Sequence, residues 1–269
     1  MAESDLAASI LSEGRQAHVA IDTPSGPHVT PQLYAWSGGR LWIAAASTTR
    51  KAAVLHEGAP AAAVVATPGR SVVLAGKVTV IDPRKPATVI RNLAQLPGAA
   101  RASIGFTARN VVDLAAFAGD LLRGRLGWLV PPRILYALTP DRAAAVENDT
   151  VTWSAGWRAG RPSGGDGVVP TGGQPAVVAL PGPVTAPARW FAEDRLAVVA
   201  PEVASLLGIA DHRGSMAVVV DRYSAAGPAA KRGAMLRGGA EPLGAGRFRL
   251  SPDRVSEWDG IEVTSRKLH

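Results

Sequence analysis

The stretch Ser47-Thr48-Thr49-Arg50-Lys51-Ala52 gathers three hydroxyls and two cations at one point of the chain. It follows an apolar run, Arg40-Leu41-Trp42-Ile43-Ala44-Ala45, and precedes the helical spacing of Ala52, Ala53 and Leu55. A strand feeding a helix start in this way presents free backbone N–H groups. With Arg and Lys beside them, such donors suit an anion, above all a phosphate. By itself an Arg-Lys pair at a helix start is more often simply solvated, so the pattern needs context. Other chemistries are poorly supplied. The chain holds no cysteine, which removes disulfides, thiolate metal sites and a Cys nucleophile. Its five histidines, His18, His28, His56, His212 and His269, form no metal-binding pair. There is no Gly-x-Ser-x-Gly elbow and no Walker Gly-Lys-Ser/Thr.

The elements that must position this turn read as short strands bounded by turn residues. An amphipathic helix over 3–14, with Ser4 as its cap, is followed by strands at His18–Asp22, His28–Trp36 and Arg40–Ala45. A short helix covers 49–57, then Ala61–Thr67 and Arg70–Ile81 continue as strands. Strands in this order predict a mostly antiparallel sheet closed into a barrel. Ala87–Leu96 and Asn110–Arg123 have helical spacing, the second through Val111, Leu114, Phe117, Leu121 and Leu122.

The chain also repeats itself. Val29-Thr30 reads against Val184-Thr185, and Arg40-Leu41 against Arg195-Leu196, both 155 residues apart. Val73-Leu74-Ala75-Gly76 reads against Met235-Leu236-Arg237-Gly238, 162 apart, and Leu138-Thr139-Pro140-Asp141-Arg142 against Leu250-Ser251-Pro252-Asp253-Arg254, 112 apart. The second copy therefore gains seven residues, placed around 223–230, and the first holds 50 more between Gly76 and Leu138. The division expected is a first barrel over 1–157 with a helical insert at about 85–135, a Gly/Pro-rich linker over 158–174, and a shorter second copy over 175–269.

From Gly14 to Asp82 the sequence resembles the pyridoxamine 5′-phosphate oxidase-like superfamily, the flavin-binding split β-barrels. The resemblance rests on Gly26-Pro27-His28-Val29-Thr30-Pro31, Gly39-Arg40-Leu41-Trp42-Ile43 and Ser47-Thr48-Thr49-Arg50-Lys51-Ala52-Ala53-Val54-Leu55. Ala61–Val65 and Val73-Leu74-Ala75-Gly76-Lys77-Val78 continue it. It implies a mainly β fold in which two split-barrel halves form a pseudo-dimer within one chain. It also implies a flavin cofactor, FMN or alternatively a deazaflavin coenzyme. Arg50 and Lys51 would pair with its phosphate, and Ser47, Thr48 and Thr49 would donate to it. The strand Val29, Thr30, Pro31 would line the ring, with Ser71 as a further polar contact. Trp190 and Phe191 of the second copy would pack on the cofactor or fill the core, the latter being favoured.

At 155 residues' distance the second copy offers Ala204-Ser205-Leu206 for Thr49-Arg50-Lys51, with no cation. One intact site per chain is expected, built mainly by the first copy. The family's Arg-Leu-His-type ending has only a faint echo in Arg266-Lys267-Leu268-His269, so the resemblance implies an FMN-dependent oxidoreductase on a small organic substrate rather than a vitamin B6 oxidase. A deazaflavin-dependent reductase and a non-catalytic flavin- or haem-binding protein are the alternatives. Catalytic side chains are not identified, since a flavin carries the hydride chemistry itself.

Charge and hydropathy bound the partners. There are 29 Lys+Arg against 22 Asp+Glu, a net +7, with the basic residues scattered singly or in pairs. Nucleic-acid proteins cluster them, so nucleic acid is not an expected partner. No apolar run reaches the roughly 18–20 residues of a membrane span, and the start is acidic without a signal-peptide pattern. A cytoplasmic monomer is the expectation.

Overall fold

A computed structural model describes residues 4–110, 132–157, 170, 172–222, 231–259 and 262–268. Alternation sets the first sheet. Along β1 (Gln16–Thr23), Ala17, Val19 and Ile21 are buried in one cluster, while Ala20 belongs to another. β2 (Gly26–Ser37), β3 (Arg40–Ala46), β4 (Pro60–Thr67), β5 (Arg70–Ile81) and β6 (Arg133–Glu147) follow the same period. One face of these strands supplies Leu41, Ile43, Ala63, Val72, Leu74 and Tyr136 to the barrel interior. The period-two pleat turns the intervening residues outward.

The strand order is β3-β2-β1-β4-β5-β6, closed by pairing of β3 with β6, and β7 (Thr150–Ala155) adds to β6. α1 (Asp5–Glu13) lies against β4 and β5. Ser4 caps it, accepting from the Ala7 N–H, and the buried Tyr34 hydroxyl donates to Leu11 O at 2.8 Å.

The second half repeats this order. β8 (Gln174–Leu180), β9 (Val184–Phe191), β10 (Leu196–Val198), β11 (Gly214–Arg222), β12 (Arg232–Pro242) and β13 (Arg247–Asp259) run as β10-β9-β8-β11-β12-β13. The sheet closes by β10 pairing with β13, and β14 (Glu262–Lys267) adds to β13. The two halves share one irregularity. Between Ala75 and Gly76 the β5–β6 register slips past Asp141; between Arg237 and Gly238 the β12–β13 register slips past Asp253. At each bulge only glycine fits. A Cβ on Gly76 would lie 2.1 Å from Thr139 O, and one on Gly238 would lie 2.0 Å from Ser251 O. The bulge also accommodates Pro140 and Pro252 within long strands.

The register corrects part of the repeat read from sequence. Ala20, opposite Val29, pairs with Ala62, and Ala179, opposite Thr185, pairs with Ala217. Val29 therefore corresponds to Thr185, one residue beyond the Val184 match. Short insertions in the β1–β2 turn shift the alignment, and strand pairing fixes it where similarity of apolar residues does not.

The outer faces of Ala20, Val29, Ala62, Val64, Val73 and Ala75 join residues of the second half in one core. Polar contacts tie the same interface. Asp221 of β11 accepts from Gln16 and meets His18 Nε2 at 2.7 Å. Burial works to raise the Asp221 carboxyl, but those two partners and Lys231 outweigh it and hold the group below the ordinary carboxylate range. The Gly182 N–H donates to Asp22 Oδ2 at 2.8 Å. Trp190 is buried in the shared core, and Phe191 lies against Gly173.

The helical insert begins with α3 (Pro86–Arg91) and a 3-10 turn, Leu93–Gln95. α4 (Leu96–Arg109) then fills most of the stretch between the two helices expected from spacing, Ala87–Leu96 and Asn110–Arg123. A proline in the first helical turn has no intrahelical N–H bond to lose, so Pro97 starts the helix instead of ending one. α4 packs on the outer face of the sheet, against Ala35 of β2 and Trp42 of β3. The helix expected over Asn110–Arg123 lies, apart from Asn110, outside the described residues. So do most of the linker and the loop 223–230. Among the described residues no helix is long and apolar enough to cross a membrane.

Candidate functional site

β3 pairs with β2 only over Tyr34–Ser37. The remainder of β2, Gly26–Leu33, pairs with β1 alone, and α2 (Arg50–Val54) comes in beside β1 and β3. Lys51 is 5% exposed, and its ammonium donates to Thr30 Oγ1. Burial pushes that ammonium down to about 8. Arg50 is exposed and donates to Ser25 Oγ at 3.0 Å. His28 follows the same turn. Burial first, then Lys51, Arg237 and Arg50, drives its imidazole down to about 3, so it is neutral. Its Nδ1 is buried without a partner.

The third cation comes from the other half. Arg237, 5% exposed on β12, donates to Ser25 Oγ at 3.0 Å. Burial, then Arg254 and Arg50, lowers its guanidinium, while Asp253 acts in the opposite sense. Among the described residues no carboxylate lies within ion-pair distance of Arg50, Lys51 or Arg237. Buried cations are ordinarily paired, because an isolated one is costly to take from water. Such a group without a carboxylate has the charge to receive an anion.

The structure brings Thr30, Arg50 and Lys51 together. Ser47, Thr48 and Thr49 form the turn that delivers α2. The Thr49 hydroxyl is engaged there, donating to Ala46 O at 2.8 Å and accepting from the Ala52 N–H at 3.4 Å as the helix cap. α2 is five residues long, so its side chains rather than a helix dipole supply the positive charge. Val29 is fully buried in the core between the halves, and Pro31 shares its outward face. Ser71 is buried on β5, which packs against β9, whereas β12 packs against β2. The pseudo-twofold relation exchanges these strands, so Ser71 belongs to the opposite locus and Arg237 stands beside β2 instead. Sequence reading missed Ser25 and Arg237. The signal for Arg237 was the replacement of Ala75 by Arg in otherwise matching blocks, Leu-Ala-Gly and Leu-Arg-Gly.

The second locus has lost each of these groups. α5 (Pro201–Leu206) takes Ala200 as its N-cap where α2 takes Thr49. The second half lacks the three-residue turn Ser47–Thr49, so Pro201-Glu202, not Ser205-Leu206, stand for Arg50-Lys51. Glu202 reverses the charge and accepts from the Val151 N–H at 2.9 Å. In register, Val184 replaces His28 and Ala186 replaces Thr30.

Residues 3–117 match the family model described as pyridoxamine 5′-phosphate oxidase. No curated protein matches the chain. Among solved structures, a protein of unknown function from Agrobacterium tumefaciens is 17% identical, with a TM-score of 0.33, over 52% of this chain and 54% of that one. The chain thus spans about half the length of that neighbour. A pyridoxamine 5′-phosphate oxidase-related, FMN-binding protein from Nostoc punctiforme is 17% identical, with a TM-score of 0.34, over 49% and 74%. An FAD- and haem-binding protein from Mycobacterium smegmatis is 19% identical, with a TM-score of 0.31, over 51% and 67%. Residues 3–117, less than half of the chain, are thus similar to the pyridoxamine 5′-phosphate oxidase family, and the second half of the chain repeats the strand order of the first.

Proposed function

We propose that the chain binds the FMN moiety of a flavin between β2 and α2 and serves as a flavin-dependent oxidoreductase on a small organic substrate. One observation carries the reading: Lys51 is a buried cation with no carboxylate partner, beside the unpartnered Nδ1 of neutral His28. These residues fit a phosphate. Lys51 and Arg50 supply charge, Thr30 supplies a hydroxyl, and His28 adds a neutral ring that does not compete for the anion. The family match of residues 3–117 supports the same reading.

A bound flavin supplies hydride transfer. The chain's own residues bind, orient and exclude water. Lys51 anchors the phosphate end, and Val29, fully buried against the second half, backs the strand that carries Thr30. The loss of cations from the second locus leaves one such site per chain.

The test is an absorption spectrum of the purified protein, repeated after addition of FMN and of a deazaflavin. A two-band flavin spectrum that stays with the protein through gel filtration is expected. A single deazaflavin band or a Soret band replaces the cofactor assignment, and a protein that retains none of them removes the flavin reading. Turnover with reduced nicotinamide donors then separates an oxidoreductase from a carrier.

A further inference from the structure

A cavity of about 270 Å³ opens at one mouth of the first barrel. β3 runs between it and the phosphate site: Arg40, at the start of the strand, borders the cavity, and Lys51 follows its far end on α2. The floor is apolar, made by Leu11 of α1 with Val72 and Leu74 of β5, all fully buried. Trp36 of β2 and Trp153 of β7 also line it, each half-buried and packed on the barrel core. The adjoining Gly38-Gly39 turn carries no side chain that could cover the opening. Arg40 is half-buried at this edge, and among the described residues no carboxylate lies within ion-pair distance of it. An apolar cavity of about 150 Å³ holds a benzene ring, so this one has room for one or two fused rings. Tryptophan walls suit a flat apolar body, and an unpaired guanidinium at the edge suits a carboxylate on it.

Barrel closure does not require these groups. The strand offset that sets Val29 against Thr185 sets Trp36 against Ala192, where the second half makes a tight turn closed by Arg195 N–H to Ala192 O. That turn holds Glu193 and Asp194 in place of the Gly38-Gly39-Arg40 hairpin. Trp153 pairs with Ala145, and at the matching place in the second half Thr264 pairs with Glu257. The second barrel closes in the same strand order without either tryptophan and with acids in place of the cation.

We infer that the mouth of the first barrel is a second ligand site, which takes a small aromatic carboxylate with its ring between Trp36 and Trp153 and its carboxylate on Arg40. The site belongs to the first half alone and does not depend on the flavin reading, since it shares no residue with the locus of Thr30, Arg50 and Lys51.

The experiment is calorimetric titration of the full chain at pH 7 with 2-naphthoate and with 2-naphthol, which has the same rings and no charge. The wild type should bind naphthoate roughly tenfold or more tightly than naphthol, the scale of a charge-assisted hydrogen bond. In Arg40→Gln that preference should fall below about twofold while naphthol binds as before. Arg40 is neither in the core nor paired, so this variant keeps the fold and the comparison stands even if Trp153→Thr, which should weaken both ligands, proves unstable. Lys51→Met removes the other anion site and should leave the naphthoate preference in place. A preference that survives Arg40→Gln, or that is lost in Lys51→Met instead, puts the carboxylate elsewhere and overturns the proposal. Equal affinity for the two probes in the wild type, or no saturable binding of naphthoate, overturns it as well.

Discussion

Replacing Lys51 by Met should make the ligand-free protein more stable while abolishing its affinity for a flavin phosphate. Burial takes the Lys51 ammonium from the ordinary 10.5 down to about 8. At about 1.36 kcal/mol per pH unit, that interval is a penalty of roughly 3 kcal/mol for holding the charge in the fold. The unfolded chain keeps the proton up to 10.5, so the penalty is present in full below about pH 8 and is relieved as pH rises to 10.5. Methionine fills similar space without the charge. Thr30 loses its donor, which costs about 1 kcal/mol. A net gain of about 2 kcal/mol at pH 7 raises the melting temperature by roughly 4–8 °C in a chain of this size. Near pH 10.5 the gain disappears. Flavin titration on the same samples should show binding lost in the variant, and in the wild type weakening above about pH 8 as the ammonium gives up its proton. A variant that melts lower at pH 7 and binds as the wild type does would refute the reasoning, and Lys51 would then be a structural tether to Thr30.

Gly238→Ala forces a Cβ to within 2.0 Å of Ser251 O, a backbone atom of the paired strand, and should cost about 1–3 kcal/mol by chemical denaturation. Gly239→Ala, with nothing within 4 Å of its Cβ, is the matched control and should be near neutral. The chain should also be a monomer by light scattering, since each half covers the face that a second subunit would otherwise cover. A tight homodimer would contradict that picture.

Much of the fold was legible because its signals are local. The alternation of Ala17, Val19 and Ile21, the Ser4 cap, and the turns that separate β1 to β5 depend on neighbours a few residues apart. The duplication was legible through matching blocks whose shared residues answer one steric demand, Gly76 opposite Pro140 and Gly238 opposite Pro252. The register of the repeat was not. Insertions of one to three residues shift apolar blocks that resemble one another at several offsets, and only hydrogen-bonded pairing places Val29 opposite Ala20 and Thr185 opposite Ala179.

The candidate site divides in the same way. By itself the sequence determined that hydroxyls and cations cluster at Ser47–Lys51, that no cysteine is available, and that two similar halves follow one another. Tertiary structure decided which of those groups meet. Lys51 reaches Thr30 because β3 leaves β2 unpaired before Tyr34, and Arg237 reaches Ser25 because the pseudo-twofold packing sets β12 against β2. Ser71 is carried away by the same relation, which sets β5 against β9. The physical reason is distance along the chain. A site assembled across 212 residues depends on how two sheets pack, and the composition around Arg237 alone carries no trace of the serine it meets.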